Sequence, residues 1–211
     1  MLKALFYPDV PFESLYIPYI YKEIYLEGIY IDIFNTRKDM VVVDVGANIG
    51  IVTAYMRDYA KKVYAIEPSR EHFEALKKNV EFNKWDNVEP FKLAIADKDG
   101  TMTLNTFDSN RTCHSLTRSY GQGSEEVETM RMDTFFKKNK IKKVDFMKFD
   151  VEGAEYMILL SEGFTKVADK IQAIEIEFHD QNFPSLVEHM IKLGFKARRY
   201  DSSAVVILFF R

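Results

Sequence analysis

Cysteine is all but absent from this 211-residue chain. Cys113 stands alone, so no intrachain disulfide can form and the composition suits a reducing compartment. Basic charge is not in excess either. Twenty-nine Lys and Arg against 32 Asp and Glu leave a net charge of −3, which gives no electrostatic footprint for duplex nucleic acid. No apolar run approaches the length of a membrane span. The first residues lack the basic-then-apolar order of a signal peptide. Repeats and low-complexity tracts are missing, as are the dinucleotide pattern G-x-G-x-x-G and the triphosphate pattern G-x-x-x-x-G-K. These absences lead us to expect a soluble, cytoplasmic, single-domain protein. Its 47% hydrophobic content is enough for one full core.

What is present concentrates between Met40 and Gly50. Met40 to Val43 form an unbroken apolar run, which reads as a strand buried on both faces inside a parallel sheet. Asp44 ends the run, and Gly46 and Gly50 flank a turn that opens into a helix near Ile49. A strand, a glycine-bearing turn and a helix start make a cradle for a nucleotide-like ligand, because backbone approaches closely where there is no Cβ. A second apolar strand, Val63 to Ile66, ends in Glu67, placed to accept hydrogen bonds from both hydroxyls of a ribose. Asn48 stands where a dinucleotide turn needs its middle glycine. Asp44 would repel a pyrophosphate but suits an amino group and a sulfonium. The acidic pair therefore favours S-adenosylmethionine over NAD.

Further blocks carry a family resemblance. Asp44-Val-Gly-Ala-Asn-Ile-Gly-Ile-Val-Thr53 resembles motif I of the FkbM-type methyltransferases, and Ile66-Glu67-Pro68-Ser69 is similar to the block that follows it. Asn87-Val88 leading to Ala94-Ile95-Ala96-Asp97-Lys98-Asp99-Gly100 matches in turn. Met147-Lys148-Phe149-Asp150-Val151-Glu152-Gly153-Ala154-Glu155 is similar to the family's K-x-D-V-E-G-x-E, and Glu175 to His179 resembles its late strand. The blocks run in the family's order from about Val41 to Phe195. The resemblance implies a Rossmann-like α/β fold of the class I methyltransferases, mostly parallel with a C-terminal antiparallel hairpin. It also implies methyl transfer to oxygen.

The pattern along the chain agrees with that fold. Strands are expected at 41–44, 63–66, 88–93, 144–149 and 171–177, with helices near 49–60, 70–83, 153–161 and 183–193. Lys196 to Tyr200 and Val205 to Phe210 alternate around a turn, a hairpin signal. The rhythm breaks at about 100–135, where Thr101 to Phe107 and Glu126 to Met132 alternate like inserted strands. The expected methyltransferase domain is 41–211. Residues 1–40 form an N-terminal segment holding Tyr7, Tyr16, Tyr19, Tyr21, Tyr25 and Tyr30. These aromatics suit packing onto the sheet, a lid over the acceptor, or a homodimer contact.

Ligands in doubly wound folds sit at the carboxyl ends of the strands. Asp44, Gly46, Ala47, Asn48 and Gly50 are expected to line the methionine and ribose, Glu67 to hold the ribose, and Pro68 and Ser69 to shape the adenine side. Ala94 stands where many related enzymes carry an adenine-contacting Asp. Adenine recognition would then fall to backbone there and to Asp97. Asp150 is expected closest to the transferring methyl, with Glu152 beside it facing the acceptor. His179 is the candidate base, since neutral imidazole is available at physiological pH.

Each residue also has a plainer role. Asp44 can cap its turn, Glu152 can answer a helix dipole, and a strand-end His179 can be scaffold. Glu155 reads as structural, His114 as an exposed loop residue, and His72 and His189 as helix residues outside the site. Asp150, Glu152, Glu177 and His179 would also suit magnesium or manganese. Carboxylates around a sulfonium account for the same residues, so no metal is assigned. The acceptor is expected to be a small molecule or glycan. An N-methyltransferase of peptide or RNA is the rival, against which no Asn/Asp-Pro-Pro-Tyr/Phe signature follows the fourth strand. A cofactor-binding protein without catalysis is the second.

Overall fold

A computed structural model describes residues 38–107, 114–119, 121, 123–180, 183–199 and 205–211. The tyrosine-rich segment, Cys113 and the turn at 201–204 lie outside the described residues. Ten strands form two sheets among those described. The large sheet runs in the order β3-β2-β1-β7-β8-β10-β9, built from β1 (Met40–Val45), β2 (Ala60–Ile66), β3 (Val88–Phe91), β7 (Phe146–Phe149), β8 (Ala173–Phe178), β9 (Lys196–Arg199) and β10 (Val205–Phe210). In this sheet β10 alone runs opposite to the other strands, pairing antiparallel with both β8 and β9.

The apolar run at Met40 becomes a strand because both sheet faces are covered. Met40 and Val42 pack into a core cluster on one face, while Val43 and Val45 pack into the cluster on the other. This is the two-residue alternation of a pleated strand. Asp44 shares the face of Val42. There Thr53 of α1 (Ile51–Met56) meets its carboxylate. The apolar cluster on that face also includes Leu76 of α2 (Arg70–Phe82) and Trp85. The opposite face is covered by α3 (Met132–Lys138), α4 (Glu155–Leu159), α5 (Glu162–Thr165) and α6 (Phe183–Lys192), through Phe135, Ile158, Phe164 and Leu186.

Differences from the sequence pattern have local causes. The expected strand 88–93 ends at Phe91, opposite Ile66 of β2. After two residues the chain leaves the large sheet, and β4 (Ala94–Ala96) pairs parallel with β6 (Gly123–Arg131) in a second sheet. β5 (Gly100–Thr106) completes this small sheet, antiparallel to β6. The helix expected at 49–60 is six residues followed by a 3-10 turn at Arg57–Tyr59. The helix expected from 153 starts at Glu155, because Glu152 and Gly153 both hold positive φ, 51° and 100°.

β1 lies between β2 and β7. It is where the strand order reverses, so the crevice beyond its carboxyl end is the place a doubly wound sheet offers to a ligand. The loops after β1, β2, β7 and β8 meet there.

Candidate active site

The turn after β1 folds back onto the end of β2, with the Gly46 and Ala47 amides both donating to the Ile66 carbonyl at 3.0 Å. Gly46 adopts φ 82°, and a Cβ there would lie 1.9 Å from the Asp150 carbonyl oxygen. The close approach that requires glycine is thus made by the chain's own β7 loop. Gly46→Ala is expected to lower the melting temperature sharply, since backbone of β1 and β7 would have to part; a thermal melt near wild type would contradict this. Asn48 is also left-handed, at φ 51°. Its side-chain oxygen accepts from the Ile49 amide at 2.7 Å, which explains why asparagine is tolerated there.

Glu67 is 5% exposed and fully engaged by backbone. Its two oxygens accept from the Asn48 amide at 2.8 Å and the Ser69 amide at 2.9 Å. Each oxygen retains a lone pair, so the carboxylate is both fixed and still able to accept two further hydrogen bonds. Asp44 has no exposed surface. Thr53 donates to its Oδ2 at 2.5 Å, while its Oδ1 is buried without a hydrogen-bond partner, 4.0 Å from Lys148 Nζ. Burial raises its pKa, against the pull of Lys148 and Thr53. Asp44 therefore lies beneath the turn rather than on the wall of the crevice. An orphaned acceptor under the turn and a preset carboxylate at its side fit an adenosine ligand with a cationic methionine part.

Ser69 is buried and precedes α2, and Pro68 is half-buried beside it. A cleft of about 490 Å³ opens beyond Ser69, lined in part by Arg70, Thr106, Phe107, His114 and Glu125. Ala94 begins β4 and packs with Leu104 and Val127 in the small sheet's own core. Asp97 is exposed past the far end of β4, and no described contact joins it to Glu67 or the β1 turn. His114 is not a free loop residue. It is half-buried and stacks on His72 with ring centroids 4.6 Å apart, and His72 Nδ1 lies 3.7 Å from Glu67.

A second group of side chains gathers at the ends of β7 and β8. His179 Nε2 lies 3.3 Å from Glu152, 3.8 Å from Asp150 and 3.9 Å from Glu177. Its Nδ1 is 2.7 Å from Oε1 of Glu155, which is 1% exposed. Donor atoms of Asp150, Glu152 and His179 all fall within 4.8 Å of one another, so the trio could also hold a divalent cation. Burial disfavours the imidazolium, yet the Glu155 hydrogen bond and the charges of Asp150 and Glu152 outweigh it and push His179 up to about 9. Burial, with repulsion from Asp150, pushes Glu152 up to about 8 against the attraction of His179. The imidazole expected to be neutral is thus shifted toward its protonated form by the acidic groups around it.

Folded His179 and Glu152 bind protons more tightly than their ordinary 6.5 and 4.5. The stability contributed by His179 is therefore present in full below pH 6.5 and is lost as pH rises through about 9. For Glu152 the same loss runs from 4.5 to about 8. Melting temperature should fall across this window in the wild type and fall less in His179→Asn. Equal slopes would show that the cluster does not hold these protons.

A model of the FkbM methyltransferase domain matches residues 44–201. The chain belongs to the FkbM methyltransferase family. It is 27% identical over 171 residues to Methyltransferase 1 of Beauveria bassiana, covering 71% of this chain and 68% of that protein. It is 25% identical over 145 residues to the hexuronic acid methyltransferase AglP of Haloferax volcanii, covering 69% of this chain and 58% of that protein. Among solved structures, the putative methyltransferase SMU.1697c of Streptococcus mutans, in complex with SAH, shares the fold. Its TM-score is 0.51 at 12% identity, over 85% of this chain and 93% of that one. This family member is a methyltransferase, and S-adenosylmethionine is its cofactor. No helix among the described residues is long and apolar enough to cross a membrane.

Two residues outside the expected site carry much of its geometry. Lys148, 8% exposed in β7, donates to the Gly46 carbonyl and to Asp150 Oδ2, both at 3.1 Å. It ties the turn after β1 to the acidic cluster. Its position two residues before Asp150 was the available signal, since strand residues two apart share a face. Glu155, which reads as structural, fixes the His179 ring. Nothing in the spacing foretells that pairing, because the two are 24 residues apart.

Proposed function

We infer that this methyltransferase transfers its methyl group to a hydroxyl oxygen of a small molecule or glycan. The observation that carries the reading is the imidazole at the end of β8, enclosed by Asp150, Glu152 and Glu177 and oriented by Glu155. A hydroxyl must lose its proton as it attacks, whereas a neutral amine need not lose one first. When bound, S-adenosylmethionine supplies a methyl carbon on a cationic sulfur, open to in-line displacement.

Glu67 would accept the ribose hydroxyls, and the backbone of Gly46, Ala47, Asn48 and Gly50 would hold the methionine part above Asp44. Pro68 and Ser69 would border the adenine, with backbone near Ala94; Asp97 would have to reach it from the far end of β4. Asp150 would offset the positive charge of the sulfonium. Glu152 lines the acceptor side. A cation bound beside Asp150 would weaken the carboxylates' hold on the His179 proton. His179 and Glu152 titrate as a coupled pair, and His179 Nε2 takes the acceptor's proton. The name of AglP supports a sugar-linked acceptor.

The test offers the purified chain S-adenosylmethionine labelled with ¹³C in the methyl, together with a panel of sugars, uronic acids and phenols. A methyl carbon appearing on oxygen supports the reading. Label appearing only on nitrogen of peptide or RNA acceptors would overturn it.

A further inference from the structure

We propose that the segment from Ser115 to Arg118, which lies between β5 and β6, is a positioning element that sets the catalytic turn after β7 and the orientation of His179. The proposal rests on the functional reading above for the identity of the catalytic groups.

Ser115 has no exposed surface, and its own backbone is pinned to β5. The Asn105 amide donates to the Ser115 carbonyl at 2.8 Å, and the Ser115 amide to the Asn105 carbonyl at 3.0 Å. From that fixed point its hydroxyl donates to the Glu152 carbonyl at 2.6 Å. The same oxygen accepts the amides of Thr117 and Arg118, at 3.2 and 3.1 Å. Thr117 donates its hydroxyl to the next carbonyl, that of Gly153, at 2.9 Å. The Arg118 guanidinium donates to the His179 carbonyl. Its Nε would be 2.8 Å from any Cβ at Gly153.

Two hydroxyls therefore hold the turn after β7, and one guanidinium holds the backbone at the end of β8. Glu152 is a non-glycine residue held at φ 51°, a conformation that persists only where its surroundings over-determine it. The Gly153 amide donates to Glu155 Oε1 at 3.1 Å, the same oxygen that lies 2.7 Å from His179 Nδ1. A shift of the Gly153 peptide is thereby passed directly to the imidazole. Ser115 and Thr117 fix that peptide from one side, and Arg118 fixes the His179 backbone from the other. The small sheet, rather than the large one alone, sets where the base and Glu152 stand.

The chain holds four histidines, and the Cε1–H resonance of His179 can be assigned by its loss in His179→Gln. Ser115→Ala and Thr117→Val are expected to shift that resonance. They should also speed amide exchange at Gly153 about tenfold while leaving β1 and β7 amides protected. Thr117→Ser, which keeps the hydroxyl, should restore both signals. Affinity for S-adenosylhomocysteine should stay within about twofold of wild type throughout. A His179 resonance and Gly153 exchange unchanged in these variants would overturn the proposal, as would changes spread evenly over the whole chain. Should Ser115→Ala not fold, Thr117→Val alters an exposed side chain and Arg118→Gln a half-buried one, so they carry the same readouts. Failure of the wild type to bind S-adenosylhomocysteine would sink the cofactor placement and leave these signals readable.

Discussion

Glu67→Ala should weaken S-adenosylhomocysteine binding by about a hundredfold or more, from two hydrogen bonds to a charged acceptor worth about 1.5–3 kcal/mol each. Glu67→Gln should be nearly as damaging. Both carboxylate oxygens accept a backbone amide, from Asn48 and from Ser69. A glutamine must turn an NH₂ toward one of them, so it disturbs the turn as well as the ribose contact. Calorimetric titration measures the loss, with circular dichroism confirming that each variant is folded. Affinity within about threefold of wild type in a folded Glu67→Ala protein would remove Glu67 from the cofactor site.

His179→Asn should lower turnover by about 10²–10⁴-fold, the usual contribution of a positioned general base, with cofactor affinity little changed. The pH profile separates this role from a merely structural one. His179 carries its proton up to about 9 in the folded chain, and only the unprotonated ring can accept another. The wild-type rate should therefore climb with pH from 7 toward 9, and the residual rate of the variant should lose that limb. Full turnover in His179→Asn, or a wild-type rate already flat at pH 7, would show that the proton leaves by another route.

The sequence displays some of these features openly and hides others for physical reasons. Met40 to Val43 announced a strand because burial on both faces selects an unbroken apolar run, and the observed strand continues through Asp44 to Val45. The place of Glu67 was legible, because it directly follows the apolar run of β2 and there its carboxylate meets the turn after β1. The exit of Ala94–Ala96 from the large sheet was not legible. The residues from Leu93 to Ala96 are uniformly apolar, and an apolar run does not say which sheet it joins. Lys148 was masked by its setting, a cation inside an otherwise apolar strand whose partners come from β1 and from beyond its own end. Ser115 and Arg118 sit in a polar loop that looks like any other. Their meaning depends on Glu152 and His179, which lie 37 and 61 residues further on.

Lys148 also explains how the two halves of the site stay in register. It bridges the Gly46 carbonyl and Asp150, so the turn after β1 and the acid after β7 share one buried cation. Its pKa is raised: burial opposes the charged form, but Asp150 and Asp44 more than compensate. A neutral substitute there would leave those two carboxylates in a buried region without their counter-charge, the costly half of a broken ion pair.

The most direct measurement is a crystal structure of this chain with S-adenosylhomocysteine bound. The account predicts both ribose hydroxyls within hydrogen-bond distance of Glu67 and the sulfur directed toward Asp150 and the His179 cluster. A ligand seated instead in the cleft of Ser69, His114 and Glu125, with Glu67 untouched and the sulfur turned away from Asp150, would contradict it.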